Sequence, residues 1–228
     1  MELQKFTTQL DFISATVKLI TTLCSSQEGI LYIALSGGGT PRPVYQALAA
    51  NPAVDFNRIE WFLVDERYVP FGHPDSNYKM IMEAFGAAQP DFSEHFHYFN
   101  TSLAPEEAAR VYEAELKNIP EQKFDLIFLG IGHDGHTASL FPQSPALQEA
   151  ERLAVATINE SAPNQALRDR LTITWPMILG SKEVIVLVSG KSKQPVVDEI
   201  FSGVKDEIAI PIKRLKKNSK ALFYYGNF

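Results

Sequence analysis

The chain has 228 residues, 45% of them hydrophobic, which supplies a sizeable core and excludes a disordered polypeptide. A net charge of -6 and a pI near 5.4 exclude the basic surplus of a nucleic-acid binder, while leaving room for a local cationic site that takes a small anion. The single cysteine, Cys24, excludes a disulfide framework within the chain and points to a cytoplasmic protein.

Leu3, Phe6, Leu10, Ile13, Val17 and Ile20 recur at three- and four-residue spacing, which predicts an amphipathic N-terminal helix. Glu2, Lys5, Asp11 and Lys18 interrupt any signal-peptide core there. No run reaches the length of a membrane span, so no membrane partner is expected. Cys24 reads as a half-buried helical residue rather than a reactive thiol.

Short apolar, β-branched runs then predict strands over 30–36, 59–65, 124–131, 152–158, 170–175, 183–189 and 220–225. Helical patterns fall between them over 41–50, 76–86, 104–118 and 191–202. The irregular stretch 85–100 is expected as a loop or a short edge element. Several strands are apolar almost throughout, as suits strands covered on both faces. The alternation predicts an α/β fold: an open, mainly parallel twisted sheet with helices on both faces. No repeat or shift of composition interrupts the chain, so one domain over 1–228 is expected. The basic run "KRLKKNSK" at 213–220 is expected as a solvated connection rather than a nucleic-acid patch.

Ligands of open α/β sheets collect beyond the carboxyl ends of the strands, and four strand ends here are chemically loaded. In "SGGGTP", Gly37, Gly38, Gly39 and Thr40 precede a helix. Inward-turned N–H groups, the helix dipole and the Ser36 and Thr40 hydroxyls would cradle an anion there. A tight strand-to-helix turn is the plainer alternative, and the Gly-Lys-Ser/Thr ending of a Walker loop is absent. In "VDERYV", Asp65, Glu66 and Arg67 end a strand. Arg67 suits two-point binding of a phosphate or carboxylate, against the alternative of an exposed ion pair. The following "DSNYKM" starts a helix capped by Asp75 or Ser76, and His73 reads as a loop histidine.

The third strand end, "LGIGHDGHTASLFP" (129–142), contains the dinucleotide fingerprint G-x-G-x-x-G. Pro142 and Pro145 cut the helix such a site needs, and the next strand ends in Asn159 rather than an acidic residue. What remains is His136 at the start of a short helix, with Asp134 and His133 nearby. A histidine there can take a proton from water. Asp134 either orients His136 or caps the turn. The pair His133 and His136 lacks the glutamate and helical spacing of a zinc site, so no metal is expected. At the fourth end, "SGKSK", Lys191 and Lys193 stand near a helix N-terminus against the dipole's preference. That placement points to an anionic ligand, with an exposed lysine as the alternative.

The motifs "LSGGGTP", "DERYV…DSNY", "GIGHDGHTASLFP", "RLTIT" and "SGKSK", in this order, resemble those of the 6-phosphogluconolactonases over nearly the whole chain. The resemblance implies a sheet fold related to glucosamine-6-phosphate deaminase. It also implies hydrolysis of 6-phospho-D-glucono-1,5-lactone to 6-phosphogluconate, in the oxidative pentose phosphate pathway, without a metal or organic cofactor. By matching motif it makes His136 the general base, with Asp134 beside it. Gly37, Gly38, Gly39, Thr40, Asp65, Arg67, Arg170 and Lys193 become substrate-binding residues, with Arg67 and Lys193 on the phosphate. The expected partner is thus a phosphorylated sugar lactone, and the chain is expected to be a monomer or weak homo-oligomer. The ending "FYYGNF" departs from the acidic residue usual near the family's last strand. A deaminase of the same superfold carries Asn-Glu where this chain has Leu140 and Phe141, which disfavours that activity. A sugar-phosphate sensor without catalysis has no need of His136.

Overall fold

The computed structural model describes residues 2–86, 88–164, 167–218 and 220–228. The chain order is β1 (Glu2–Phe6), α1 (Gln9–Ser26), β2 (Leu31–Leu35), α2 (Arg42–Ala49), β3 (Ile59–Leu63), β4 (Asp65–Arg67), α3 (Asn77–Phe85), β5 (Phe96–His97) and α4 (Pro105–Lys117). It continues with β6 (Leu126–Leu129), β7 (Ala154–Ile158), β8 (Asp169–Ile173), α5 (Trp175–Gly180), β9 (Glu183–Ser189), α6 (Gln194–Ser202) and β10 (Ala221–Gly226).

Seven strands form one parallel sheet in the order β1-β10-β9-β6-β2-β3-β5. Every residue of β6 and the run Val184–Val188 of β9 are buried, so both faces of the sheet's centre are covered. α1, α2 and α3 pack side by side, and α4 lies against β7 and β8. From β2 the chain moves outward through β3 to β5. It then returns to the other side of β2 with β6 and continues outward through β9 to β10. The order reverses between β2 and β6, so the crevice at their carboxyl ends is the topological switch point, where such sheets take their ligands.

Four expectations need correction. The N-terminal helix does not begin at Leu3: Glu2–Phe6 is an edge strand paired with β10, and the helix starts after Thr8, whose hydroxyl accepts from Asp11 N–H (3.1 Å). A strand pairing made by residues two hundred positions away outweighs the local helical period. The strands β7 and β8 are not in the main sheet. They form a separate antiparallel sheet, β4-β8-β7, with the Asp65–Arg67 segment at its edge. The basic run is not simply solvated: Pro211–Lys217 is a 3-10 helix with Ile212, Lys213 and Leu215 buried, and the Arg214 guanidinium lies 5.3 Å over the Trp175 ring. Ser219 of that run lies outside the described residues. Finally, His136 does not begin a helix. It sits in a turn that continues into the bridge Thr137–Leu140, with Gly135 at φ 83° and Ala138 at φ 50°. Two left-handed residues so close together break the helical hydrogen-bond ladder before it starts.

The other elements fall within a few residues of expectation. The stretch 85–100 yields a 3-10 turn (Pro90–His95) and the two-residue edge strand β5, while Cys24 lies on α1 as expected but is buried rather than half-buried. The helix expected from 191 opens as a 3-10 turn, Lys191–Lys193, before α6 proper.

Candidate active site

The histidine loop leaves β6 and folds back on itself. Gly132 N–H donates to His136 O (2.9 Å), and the Thr137 hydroxyl donates to Gly130 O (2.9 Å). A Cβ at Gly132 would stand 2.2 Å from both Cε1 and Nδ1 of His136, so the imidazole keeps its place only with glycine there. His136 Nδ1 lies 2.6 Å from Asp134 Oδ1, and the same oxygen accepts the His136 N–H at 3.2 Å. Asp134 therefore does both things left open by the sequence: it orients the ring and closes the turn. Burial opposes its ionisation, but the hydrogen bond and charge of His136 prevail and hold its carboxyl below the usual value. With Nδ1 so engaged, Nε2 makes no hydrogen bond among the described residues and is open to a ligand. The ring packs on Phe141, centroids 4.7 Å apart. His133 is exposed.

Three neighbouring strand ends converge on this loop. From beyond β9, the Lys193 ammonium donates to Ile131 O (2.9 Å). Burial lowers the Lys193 pKa, while the nearby Asp134 carboxylate opposes the shift. From β2 comes the glycine turn, with Gly38 at φ 100° and with Gly38 and Gly39 exposed. No acceptor among the described residues takes the N–H groups of Gly38 and Gly39. The Thr40 hydroxyl lies 2.9 Å from that of Ser189, which joins the turn to the end of β9.

The third contribution is β4, where strand alternation divides the Asp-Glu-Arg triplet between two faces. Asp65 is buried, accepts the Ser139 hydroxyl on Oδ2 (2.6 Å), and so ties β4 to the histidine loop. Arg67 shares a face with Arg170, its register partner on β8. Arg170 is largely buried and lies 5.9 Å over the Phe141 ring, which is itself in contact with His136. Burial depresses the Arg170 pKa, Asp65 opposes the shift, and Arg67 adds to it. The guanidinium stays charged throughout.

Glu66 faces the other way. It is buried and accepts from Arg67 N–H (2.8 Å), Asn77 N–H (2.7 Å), Tyr78 N–H (2.8 Å) and the Ser76 hydroxyl (3.0 Å), capping α3. Ser76 is the N-cap and accepts from Lys79 N–H (3.1 Å). Asn77 then donates from Nδ2 to Asp65 O (2.7 Å), and its Oδ1 occupies the space where a Gly37 Cβ would be, 1.8 Å away. Gly37, Asn77, Asp65, Ser139 and the histidine loop thus form one chain of contacts around the switch point.

The sequence pointed to ten site residues, and the structure places them around the carboxyl ends of β2, β3, β6 and β9, with Arg67 and Arg170 paired where β4 ends and β8 begins. Glu66, as cap, and Asn77, Ser139 and Phe141 were missed as site components. Only alternation within Asp65–Arg67 carried a readable signal, for Glu66. A cavity of about 930 Å³ opens beside the loop, walled by Asp134, Phe141, Pro145, Ala156, Ile158 and Asp169. Neither the glycine turn nor Arg67, Arg170 or Lys193 lines it. No cluster of three metal-ligating side chains occurs among the described residues.

The fold is that of an open α/β sheet with its polar and charged residues gathered at the switch point, where proteins of this class take their ligands. The chain belongs to the family of glucosamine-6-phosphate isomerases/6-phosphogluconolactonase, whose match covers residues 9–224. It is 38% identical to a 6-phosphogluconolactonase of Synechocystis sp. over 92% of this chain and 87% of that one. It is 35% identical to one of Nostoc sp., over 94% and 91%. Among solved structures, the 6-phosphogluconolactonase of Thermotoga maritima superposes with a TM-score of 0.85 at 29% identity, over 99% of both chains.

Proposed function

We propose that the chain, acting as a single domain, is a 6-phosphogluconolactonase that hydrolyses 6-phospho-D-glucono-1,5-lactone to 6-phospho-D-gluconate with His136 as general base. The observation that carries this reading is the 2.6 Å contact of His136 Nδ1 with Asp134, which presents Nε2 beside a crevice holding Arg67, Arg170 and Lys193. The names of the Synechocystis, Nostoc and Thermotoga relatives support it.

The chemistry follows from these positions. Nε2 takes a proton from water as the oxygen attacks the lactone carbonyl carbon. The imidazolium that forms is stabilised by Asp134. The tetrahedral intermediate carries its charge on the former carbonyl oxygen, for which the Lys193 ammonium and the free N–H groups of the glycine turn are the available donors. On collapse the ring oxygen leaves and receives the proton from Nε2. One water is consumed, one C–O bond is cleaved, and the product is a carboxylic acid that ionises in solution. Arg67 and Arg170, with Lys193 within reach, hold the phosphate and thereby orient the carbonyl carbon. Asp65 holds the histidine loop against β4 and screens Arg170. The alternative deaminase reaction lacks its carboxylate, because Phe141 fills that position and packs on His136.

The direct test generates the lactone in situ from glucose 6-phosphate and follows its disappearance with and without the protein. Disappearance no faster than in buffer would refute the assignment. No helix among the described residues is long and apolar enough to cross a membrane.

A further inference from the structure

The segment after α6 grips the histidine loop at two points. Ile212 N–H donates to Gly135 O (3.1 Å), and Gln143 N–H donates to Ile208 O (3.3 Å). Ile210 packs so closely on Gly135 that a Cβ there would stand 2.7 Å from Ile210 Cγ2. From Gly203 to Ile210 this bracket contains neither helix nor strand, so its place is not set by a backbone ladder.

One buried side chain ties its start to α6. Lys213 is 7% exposed, and its Nζ donates to Glu199 Oε1 (2.7 Å), Gly203 O (3.1 Å) and Lys205 O (2.6 Å). These are all three donors of an ammonium. Glu199 Oε1 also accepts Lys205 N–H (3.0 Å), and its carboxylate lies directly over Gly203, where a Cβ would meet Cδ at 2.1 Å. Asp206 closes the next turn, accepting from Ile208 N–H (3.1 Å) and Ala209 N–H (3.0 Å).

Glu199 belongs to α6, and the entry to α6 carries Lys193. The bracket carries the contacts to Gly135 and Gln143, on either side of His136. The Lys213 ammonium therefore joins the element that presents Lys193 to the element that holds His136. An apolar side chain of the same length would fill the volume and serve stability as well. What it cannot supply is three directional bonds that fix one spacing.

We propose that Lys213 is a positioning residue of the hydrolytic site, setting the distance between His136 and Lys193 through the 203–212 bracket. The kinetic part of this inference rests on the lactonase reading.

The test compares wild type with Lys213→Met, with Lys216→Met at an exposed neighbour, and with Leu23→Ala on α1 as a destabilised variant remote from the site. kcat, KM, thermal midpoint and the NMR titration of the His136 imidazole are measured for each. Lys213→Met is expected to lose about tenfold to a hundredfold in kcat, as displacement of catalytic groups by a fraction of an ångström to one ångström does, with KM nearly unchanged. Its His136 titration should move, while both controls keep the wild-type kcat and titration. Where Lys213→Met fails to fold, Glu199→Gln, which removes one acceptor's charge only, carries the same comparison. An unmoved His136 titration with unchanged kcat overturns the proposal. So does a loss of kcat no greater than that of Leu23→Ala at equal instability. If the wild type hydrolyses no phosphorylated lactone, the lactonase reading fails, and the His136 titration alone decides whether Lys213 positions the loop.

Discussion

Arg67 on β4 and Arg170 on β8 stand directly opposite each other across an antiparallel ladder. Like charges so placed destabilise a sheet. Each guanidinium gives one donor to the fold, Arg67 Nη1 to Asp75 O (2.6 Å) and Arg170 Nε to Leu167 O (2.9 Å), and keeps others for a ligand. An anion between them relieves the repulsion, which is the physical case for a phosphate there.

The first prediction follows from that pair. Arg67→Ala or Arg170→Ala should lower kcat/KM on the phosphorylated lactone roughly ten- to a hundredfold, the worth of one hydrogen bond to a charged group. On plain glucono-1,5-lactone the loss should be small. Measuring both substrates isolates the phosphate. Equal losses on the two would place the phosphate elsewhere.

The dyad gives the second. His136→Asn should reduce kcat by about 10²–10⁴-fold, the usual worth of a positioned base, with KM little changed. Asp134→Asn should cause a smaller loss, because it leaves a hydrogen-bonding partner for Nδ1 but no counter-charge for the imidazolium. Steady-state kinetics of the two variants check the order, and an Asp134→Asn variant as impaired as His136→Asn would contradict it.

Gly132→Ala is the third. Its new methyl would stand 2.2 Å from the His136 ring and 2.5 Å from Asp134 Oδ1, so the ring must leave its place. Catalysis should fall nearly as far as in His136→Asn, while circular dichroism stays native. Retention of half the wild-type kcat would show that the ring position is not needed.

The fourth concerns pH and a second histidine. His97 Nδ1 lies 3.0 Å from Glu115 Oε2 on α4, and Nε2 lies 2.9 Å from Glu60 Oε2 on β3. His95 also contacts Glu60, and the Phe62 ring stacks on His97 at 4.3 Å. Burial works against the imidazolium, but the two carboxylates outweigh it and raise the His97 pKa. Its contribution to stability is therefore fully present below the unfolded value of about 6.5 and is lost as pH rises through the higher folded value. From about pH 6 to about pH 9, the thermal midpoint of wild type should fall relative to that of His97→Gln. Parallel curves for the two proteins would remove His97 from the account.

The α/β alternation, the short apolar strands and the four loaded strand ends were all legible in the chain's local pattern. These features are local: a run of β-branched residues or a glycine turn has the same meaning wherever the chain goes next. His136, Lys193 and the glycine turn were legible because each lies within a few residues of a strand terminus. The N-terminal edge strand was not, since Glu2–Phe6 is a strand only because β10 lies beside it. The transfer of β7 and β8 to a second sheet was equally hidden, and with it the pairing of Arg67 and Arg170 across 103 positions of chain. Lys213 looked like one more charge in a basic run. Its burial depends on three acceptors that converge only when α6 and the segment after it fold together. Spacing along the chain reports on turns and periods, whereas the meeting of remote charges and carbonyls is decided by which strand pairs with which.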